Sequence, residues 1–278
     1  MSDNMNSDTK KKEAFSRDSV KNTLLVAIGL SLVCSVMVAS TAIMLKPVQL
    51  KNEELFRQKI ILDVAGLMQA GANIGELFST IEPRMVELAS GNYVNTPDPR
   101  DFDAAVAAKD PQLGLAIPPE LDTGNIRRRA VFSPVYLVKK DGEIEQLILP
   151  VYGSGLWSTM YGYLALANDG TTVKGLRFYD HAETPGLGDK IDKPAWRQQW
   201  VGKIIHGPDG LPRIEVIRGL VPSSGTPEQL SNVKYQIDGL SGATLTGRGV
   251  SDLVRYWTGP HAFGPYLKNF WNSDDTSQ

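Results

Sequence analysis

Two short segments hold residues whose types and spacing could do chemistry. The first is Asp238-Gly239-Leu240-Ser241-Gly242-Ala243-Thr244-Leu245-Thr246-Gly247. Three hydroxyls, on Ser241, Thr244 and Thr246, stand among glycine and alanine, so the backbone can pass close to an anion such as a phosphate. The segment runs into a predicted helix near Arg248, and a helix start offers unpaired amides and a partial positive charge. Thr246 also falls where an N-cap would sit, a purely structural use of threonine. The second segment is His181-Ala182-Glu183-Thr184-Pro185-Gly186-Leu187-Gly188. Its proline and two glycines define a tight loop able to approach a ligand, with Glu183 as an acceptor and Thr184 as a hydroxyl. Neither segment is a nucleotide fingerprint: the Gly-Lys-Ser/Thr ending of a P-loop and the Gly-x-Gly-x-x-Gly pattern are both missing.

Composition removes several other chemistries. Cys34 is the only cysteine, so no intrachain disulfide, thiolate cluster or Cys-x-x-Cys redox pair can form. His181, His206 and His261 are the only histidines, which argues against a multi-histidine metal centre. Any redox chemistry must therefore come from an organic cofactor, and neither a catalytic dyad nor a metal site is assigned. The formal net charge of -2 lacks the basic footprint of a nucleic-acid binder.

The elements that must position these segments are legible in outline. From Thr23 to Leu45 the chain is apolar and uncharged. As a helix this stretch spans roughly 34 Å, enough for a hydrocarbon core of about 30 Å. It is longer than the apolar region of a signal peptide, so an uncleaved anchor is expected. Lys10, Lys11, Lys12, Arg17 and Lys21 precede it, against Lys46, Lys51, Arg57 and Lys59 after it. That is a weak bias toward a cytoplasmic amino end. Residues 48–70 and 74–89 show apolar spacing of helical period and predict two helices. The Arg127-Arg128-Arg129 run reads as a solvated face or a docking patch for another subunit. Residues 131–152 predict a hairpin turning at Asp141-Gly142, and 156–179 a second across Asn168-Asp169-Gly170. Strands are expected at 213–218 and 234–238, and helices near 193–201 and 248–257. Antiparallel hairpins with segregated helices define an α+β fold.

Together the segments HAETPGLG and SGATLT resemble one family: the FMN-binding domain shared by the C-type subunits of sodium-translocating NADH:quinone oxidoreductases and the G-type subunits of the related Rnf complexes. SGATLT fits the family's Ser/Thr-Gly-Ala-Ser/Thr-x-Thr pattern at every position. The resemblance covers roughly residues 130–260. It implies that FMN phosphate is esterified to Thr246, with Thr244 the rival position. Ser241, Gly242, Ala243, Thr244 and Leu245 would surround the phosphate end. Glu183, Thr184, Gly186, Leu187 and Gly188 would pack on the ring, with Leu187 as the apolar contact. Trp157 is either a ring neighbour or a half-buried strand aromatic, and Lys190 either flanks the flavin or is solvated.

The long stretch before the hairpins favours the C-type subunit of the sodium pump. The implied function is electron carriage in a sodium-pumping NADH:ubiquinone oxidoreductase of an inner membrane, with the flavin domain periplasmic. The A, B, D, E and F subunits would be its partners, NADH binding elsewhere, and a magnesium-dependent flavin transferase using FAD would mature the chain. An Rnf-type carrier fed by ferredoxin and a membrane-anchored flavin-binding module without redox turnover are the other readings. The expected division is a polar tail (1–22), a membrane helix (23–45), a helical membrane-proximal region (46–130), the FMN-binding domain (131–260) and a C-terminal tail (261–278).

Overall fold

The computed structural model describes residues 19–69 and 71–274, with side chains through residue 271. The basic residues Lys10, Lys11, Lys12 and Arg17 lie outside the described residues. The chain divides into two compact units, Met1–Glu54 and Leu55–Gln278.

Helix α1 runs from Val20 to Val64 without a break, although Pro47 lies inside it. A proline costs a helix one backbone bond and a steric adjustment, yet this helix continues, so the anchor and the helix predicted to follow it are one element. It ends six residues earlier than predicted. Gly66, at φ +71°, turns the chain, while Leu67 N–H donates to Leu62 O and Gly66 N–H to Asp63 O, a Schellman closure. The apolar stretch is long enough to cross a membrane, and its leucines, valines and isoleucines are exposed.

The second prediction in this region is corrected. Only α2 (Ile74–Phe78) is helical; Ile81–Glu87 forms strand β1, followed by β2 (Asn92–Val94). Ile81, Met85 and Leu88 fit a helical period, but Pro83 stands between them and disfavours a continuing helix. In the sheet β2 pairs only with Met85–Glu87, so Pro83 has a strand neighbour on one side alone. After α3 (Ala104–Ala107), β3 (Gly114–Ala116) pairs with β4 (Arg128–Ala130).

The predicted hairpins follow. Strands β5 (Phe132–Lys140) and β6 (Glu143–Ser154) meet at Asp141 and Gly142, both with positive φ, as a tight two-residue turn requires. Strands β7 (Thr159–Ala167) and β8 (Val173–Asp180) make the second. The six-stranded antiparallel sheet has the order β2-β1-β5-β6-β7-β8. It thus draws two strands from the stretch expected to be helical. Both faces are covered, so β7 is buried almost continuously. On one face Leu147, Leu149 and Leu164 pack with Val250, Leu253 and Trp257. On the other, Ile148 and Tyr163 pack with Ile60, Ile61 and Val64 at the end of α1.

The two remaining strands are shorter than predicted. Helix α4 (Pro194–Arg197) runs on as a 3-10 turn, Gln198–Trp200, where the sequence predicts the helix near 193–201. Strand β9 (Glu215–Val216) pairs in parallel with β10 (Gln236–Ile237), and α5 (Pro227–Asn232), which the sequence reading does not predict, lies between them in sequence. Helix α6 spans Thr244–Thr258, starting four residues before the predicted position. The expected tail contains α7 (Gly264–Asp274), with Phe263, Tyr266 and Leu267 buried. These three apolar residues, close together near the carboxyl end, are the sequence sign of a helix docking on the core.

Candidate functional site

The two singled-out segments converge at the start of α6. Because that helix begins at Thr244, Thr246 is not its N-cap but lies in its first turn, and Ala243 caps it without a side-chain bond. The first intrahelical bond runs from Gly247 N–H to Ala243 O, leaving the amides of Thr244, Leu245 and Thr246 ahead of it. Thr246 has no exposed surface. Its hydroxyl donates to Glu183 Oε2.

Glu183 is itself buried. A carboxylate there costs several kcal/mol unless donors surround it, and the chain supplies three. Oε1 accepts from Leu156 N at 2.9 Å and Trp157 N at 3.2 Å, and Oε2 accepts from Thr246. The loop holding Glu183 is tied down in turn. Glu183 N–H donates to His181 Nδ1 at 3.2 Å, and His181 Nε2 pairs with Asp192 at 2.7 Å. Ala182 N–H donates to Ser158 Oγ at 2.8 Å.

Two glycines make this packing possible. A Cβ on Gly155 would collide with Glu183 Oε1, and one on Gly188 would lie 2.8 Å from Thr246 Oγ1. Lys190 Nζ donates to Ser241 O at 3.3 Å, bridging the segments. Lys190 keeps contact with solvent while making this bond.

Trp157 is not a strand aromatic. Strand β7 starts at Thr159, and Trp157 lies in the β6–β7 connection, 68% exposed. Its indole N–H donates to Thr184 Oγ1 at 2.9 Å. Leu187 is also exposed, and its side chain covers Gly242. The helix start also borders an open cleft of about 900 Å³, whose lining includes Ser241, Gly242, Thr244, Leu245, Arg218 and Arg248. Asp252 also faces it. Burial pushes the Asp252 carboxyl above its ordinary value, against the pull of Arg255 and Arg248.

The structure therefore brings Glu183, Thr184, Trp157 and Thr246 into one hydrogen-bonded corner, with Gly188 packed against it. Ser241, Gly242, Thr244 and Leu245 lie beside it on the cleft. Sequence reading missed Gly155, Arg218 and Arg248. Arg248 follows the motif by two positions, but one cation at a helix start says little by itself. Nothing local marks Gly155 or Arg218.

A hydroxyl beside a helix start, arginines on an open cleft and exposed apolar side chains together suit a ligand with an anionic end and an apolar body. A family model for the FMN-binding domain matches residues 155–259, which contain both segments. The C subunit of the Na(+)-translocating NADH-quinone reductase of Yersinia pestis is 45% identical over 256 residues, covering 90% of this chain and 93% of its own. The corresponding subunit of Haemophilus ducreyi is 44% identical, covering 92% and 96%. The crystal structure of Shewanella oneidensis NqrC superposes with a TM-score of 0.72 at 30% identity, covering 79% of this chain and 98% of that one. The chain belongs to the NqrC family, the C-type subunits of Na(+)-translocating NADH-quinone reductases.

Proposed function

We propose that this chain carries one FMN joined through its phosphate to Thr246, and serves as an electron carrier among the subunits of a sodium-pumping NADH:quinone reductase. The observation that carries this reading is the Thr246 hydroxyl itself, the last residue of SGATLT, held at the start of α6 against Glu183. The surroundings suit the group. Amides at the helix start and the arginines on the cleft suit a phosphate. Trp157, Leu187 and Leu245 present apolar surface suited to a flat ring.

Bound FMN would supply the redox chemistry, and the protein its placement and electrostatics. Ser241, Gly242, Ala243, Thr244 and Leu245 would hold the phosphate end. Glu183, Thr184, Gly186, Leu187, Gly188 and Trp157 would border the ring. A covalent link removes dissociation, so a shallow, open face suffices and leaves the ring's edge available to partners.

The A, B, D, E and F subunits and a flavin transferase complete the reading. So does a single span within α1 in a bacterial inner membrane, with the flavin domain periplasmic. The test is denaturing electrophoresis after co-expression with the transferase. A fluorescent wild-type band and a dark Thr246→Ala band are expected. A bright Thr246→Ala band would move the link, with Thr244 next in line.

A further inference from the structure

Glu183 divides its two oxygens between different tasks. Oε1 takes both amides of the β6–β7 connection, at Leu156 and Trp157. Those two bonds hold the connection against the Glu183 loop. Oε2 takes only the Thr246 hydroxyl, and both residues are buried. The aliphatic hydroxyl is a poor nucleophile until a base within hydrogen-bond reach removes its proton. Here the base is already seated, and the Gly188 backbone packs so closely that no side chain fits between.

We propose that Glu183 is the general base for attachment of flavin to Thr246; this rests on Thr246 being the attachment residue. The step transfers a flavin mononucleotidyl group from a flavin dinucleotide. Thr246 Oγ1 forms a bond to the flavin-side phosphorus of the pyrophosphate. The bond from that phosphorus to the bridging oxygen breaks, and AMP leaves with the bridging oxygen. The hydroxyl proton passes to Glu183 Oε2. No electrons are gained or lost. The acceptor chain thus brings its own base. Access requires the turn at Pro185–Leu187 to lift. It is exposed, and its backbone bonds are local, from Leu187 N and Asp189 N to Thr184 O.

The test uses the full-length, unmodified chain in detergent with purified transferase, FAD and magnesium. Incorporation is followed by intact mass and in-gel fluorescence. Glu183→Gln keeps an oxygen for the two amides but removes the base. Its initial rate is expected to fall about a hundredfold. The ratio of variant to wild-type rate is expected to rise with pH, approaching tenfold per unit as hydroxide replaces the carboxylate. Taking the ratio cancels the transferase's own pH dependence. An unchanged rate, or a ratio constant across pH, overturns the proposal and leaves Glu183 a purely structural residue.

An unlabelled wild type, or a labelled Thr246→Ala chain, overturns the attachment reading instead. A second measurement covers a Gln variant that does not fold. In the unmodified wild type, NMR is expected to show the Thr246 hydroxyl proton shifted downfield and slow to exchange, close to the Glu183 side chain. A hydroxyl in free exchange with solvent also overturns the proposal.

Discussion

At the residue scale the corner around Thr246 is packed to the limit. Gly188→Ala would place a methyl group 2.8 Å from Thr246 Oγ1 and 2.9 Å from Glu183 Cβ. Overpacking of this kind costs about 1–3 kcal/mol. It is expected to lower the denaturant midpoint and slow flavin incorporation together, both read on the same purified chain. A variant with wild-type stability and incorporation would mean that the corner has room to spare. Thr246, Glu183 and Gly188 are all recognisable as notable in the sequence, because small residues clustered around hydroxyls are unusual. The bond between Thr246 and Glu183 is not. It joins residues 63 positions apart, and its geometry depends on Gly155, which nothing local distinguishes. The cap expected at Thr246 fails for a related reason. Ala243, a poor cap by chemistry, ends up in that place because the helix extends back toward the glycines.

At the element scale the end of α1 is fastened to the sheet by one carboxylate. Asp63 bonds Arg177 on β8 and lies 2.7 Å from Arg197 in α4. Burial alone would raise its carboxyl, but hydrogen bonds and charge from Arg177 and Arg197 outweigh this and hold it below the usual range. A carboxyl held low in the folded state stabilises the fold above its unfolded-state value and loses that contribution as pH falls through the folded-state value. Wild type is therefore expected to lose stability from about pH 4 downward, and Asp63→Asn to show a shallower decline there. At neutral pH the same substitution is expected to cost about 1.5–3 kcal/mol. Urea unfolding across that pH range reads both, and identical slopes would discount the cluster.

The hairpins are legible because their signals are local: Asp141-Gly142 and Asn168-Asp169-Gly170 announce their turns. Strand β1 is not. Its long partner, β5, begins some fifty residues later, and its apolar spacing mimics a helix. Pro83 is the available clue. The strands at β9 and β10 fall where the sequence predicts them but are shorter, since only two residues of each make the pairing.

At the scale of the whole molecule, the C-terminal helix belongs to the core. Phe263, Tyr266 and Leu267 are buried, Tyr266 meets the Tyr93 hydroxyl at 2.8 Å, and Asn269 donates to Ser90 O at 3.0 Å. Each large apolar side chain contributes roughly 1.5–3 kcal/mol by burial, against a typical total of about 5–15 kcal/mol. A chain ending at Pro260 is expected to melt at a clearly lower temperature or fail to accumulate, followed by circular dichroism and expression level. An unchanged melt would return these residues to the status of a tail.

The enclosed state of Thr246 has a consequence for how such a protein ages from synthesis to use. On the proposed attachment, a phosphorus bonded to Oγ1 would need room beside Gly188, whose backbone already packs against that oxygen, so loading would reshape this corner. The polypeptide would thereby record its own history on its surface. A partner resting against this corner would then meet one relief before the flavin arrives and another afterwards.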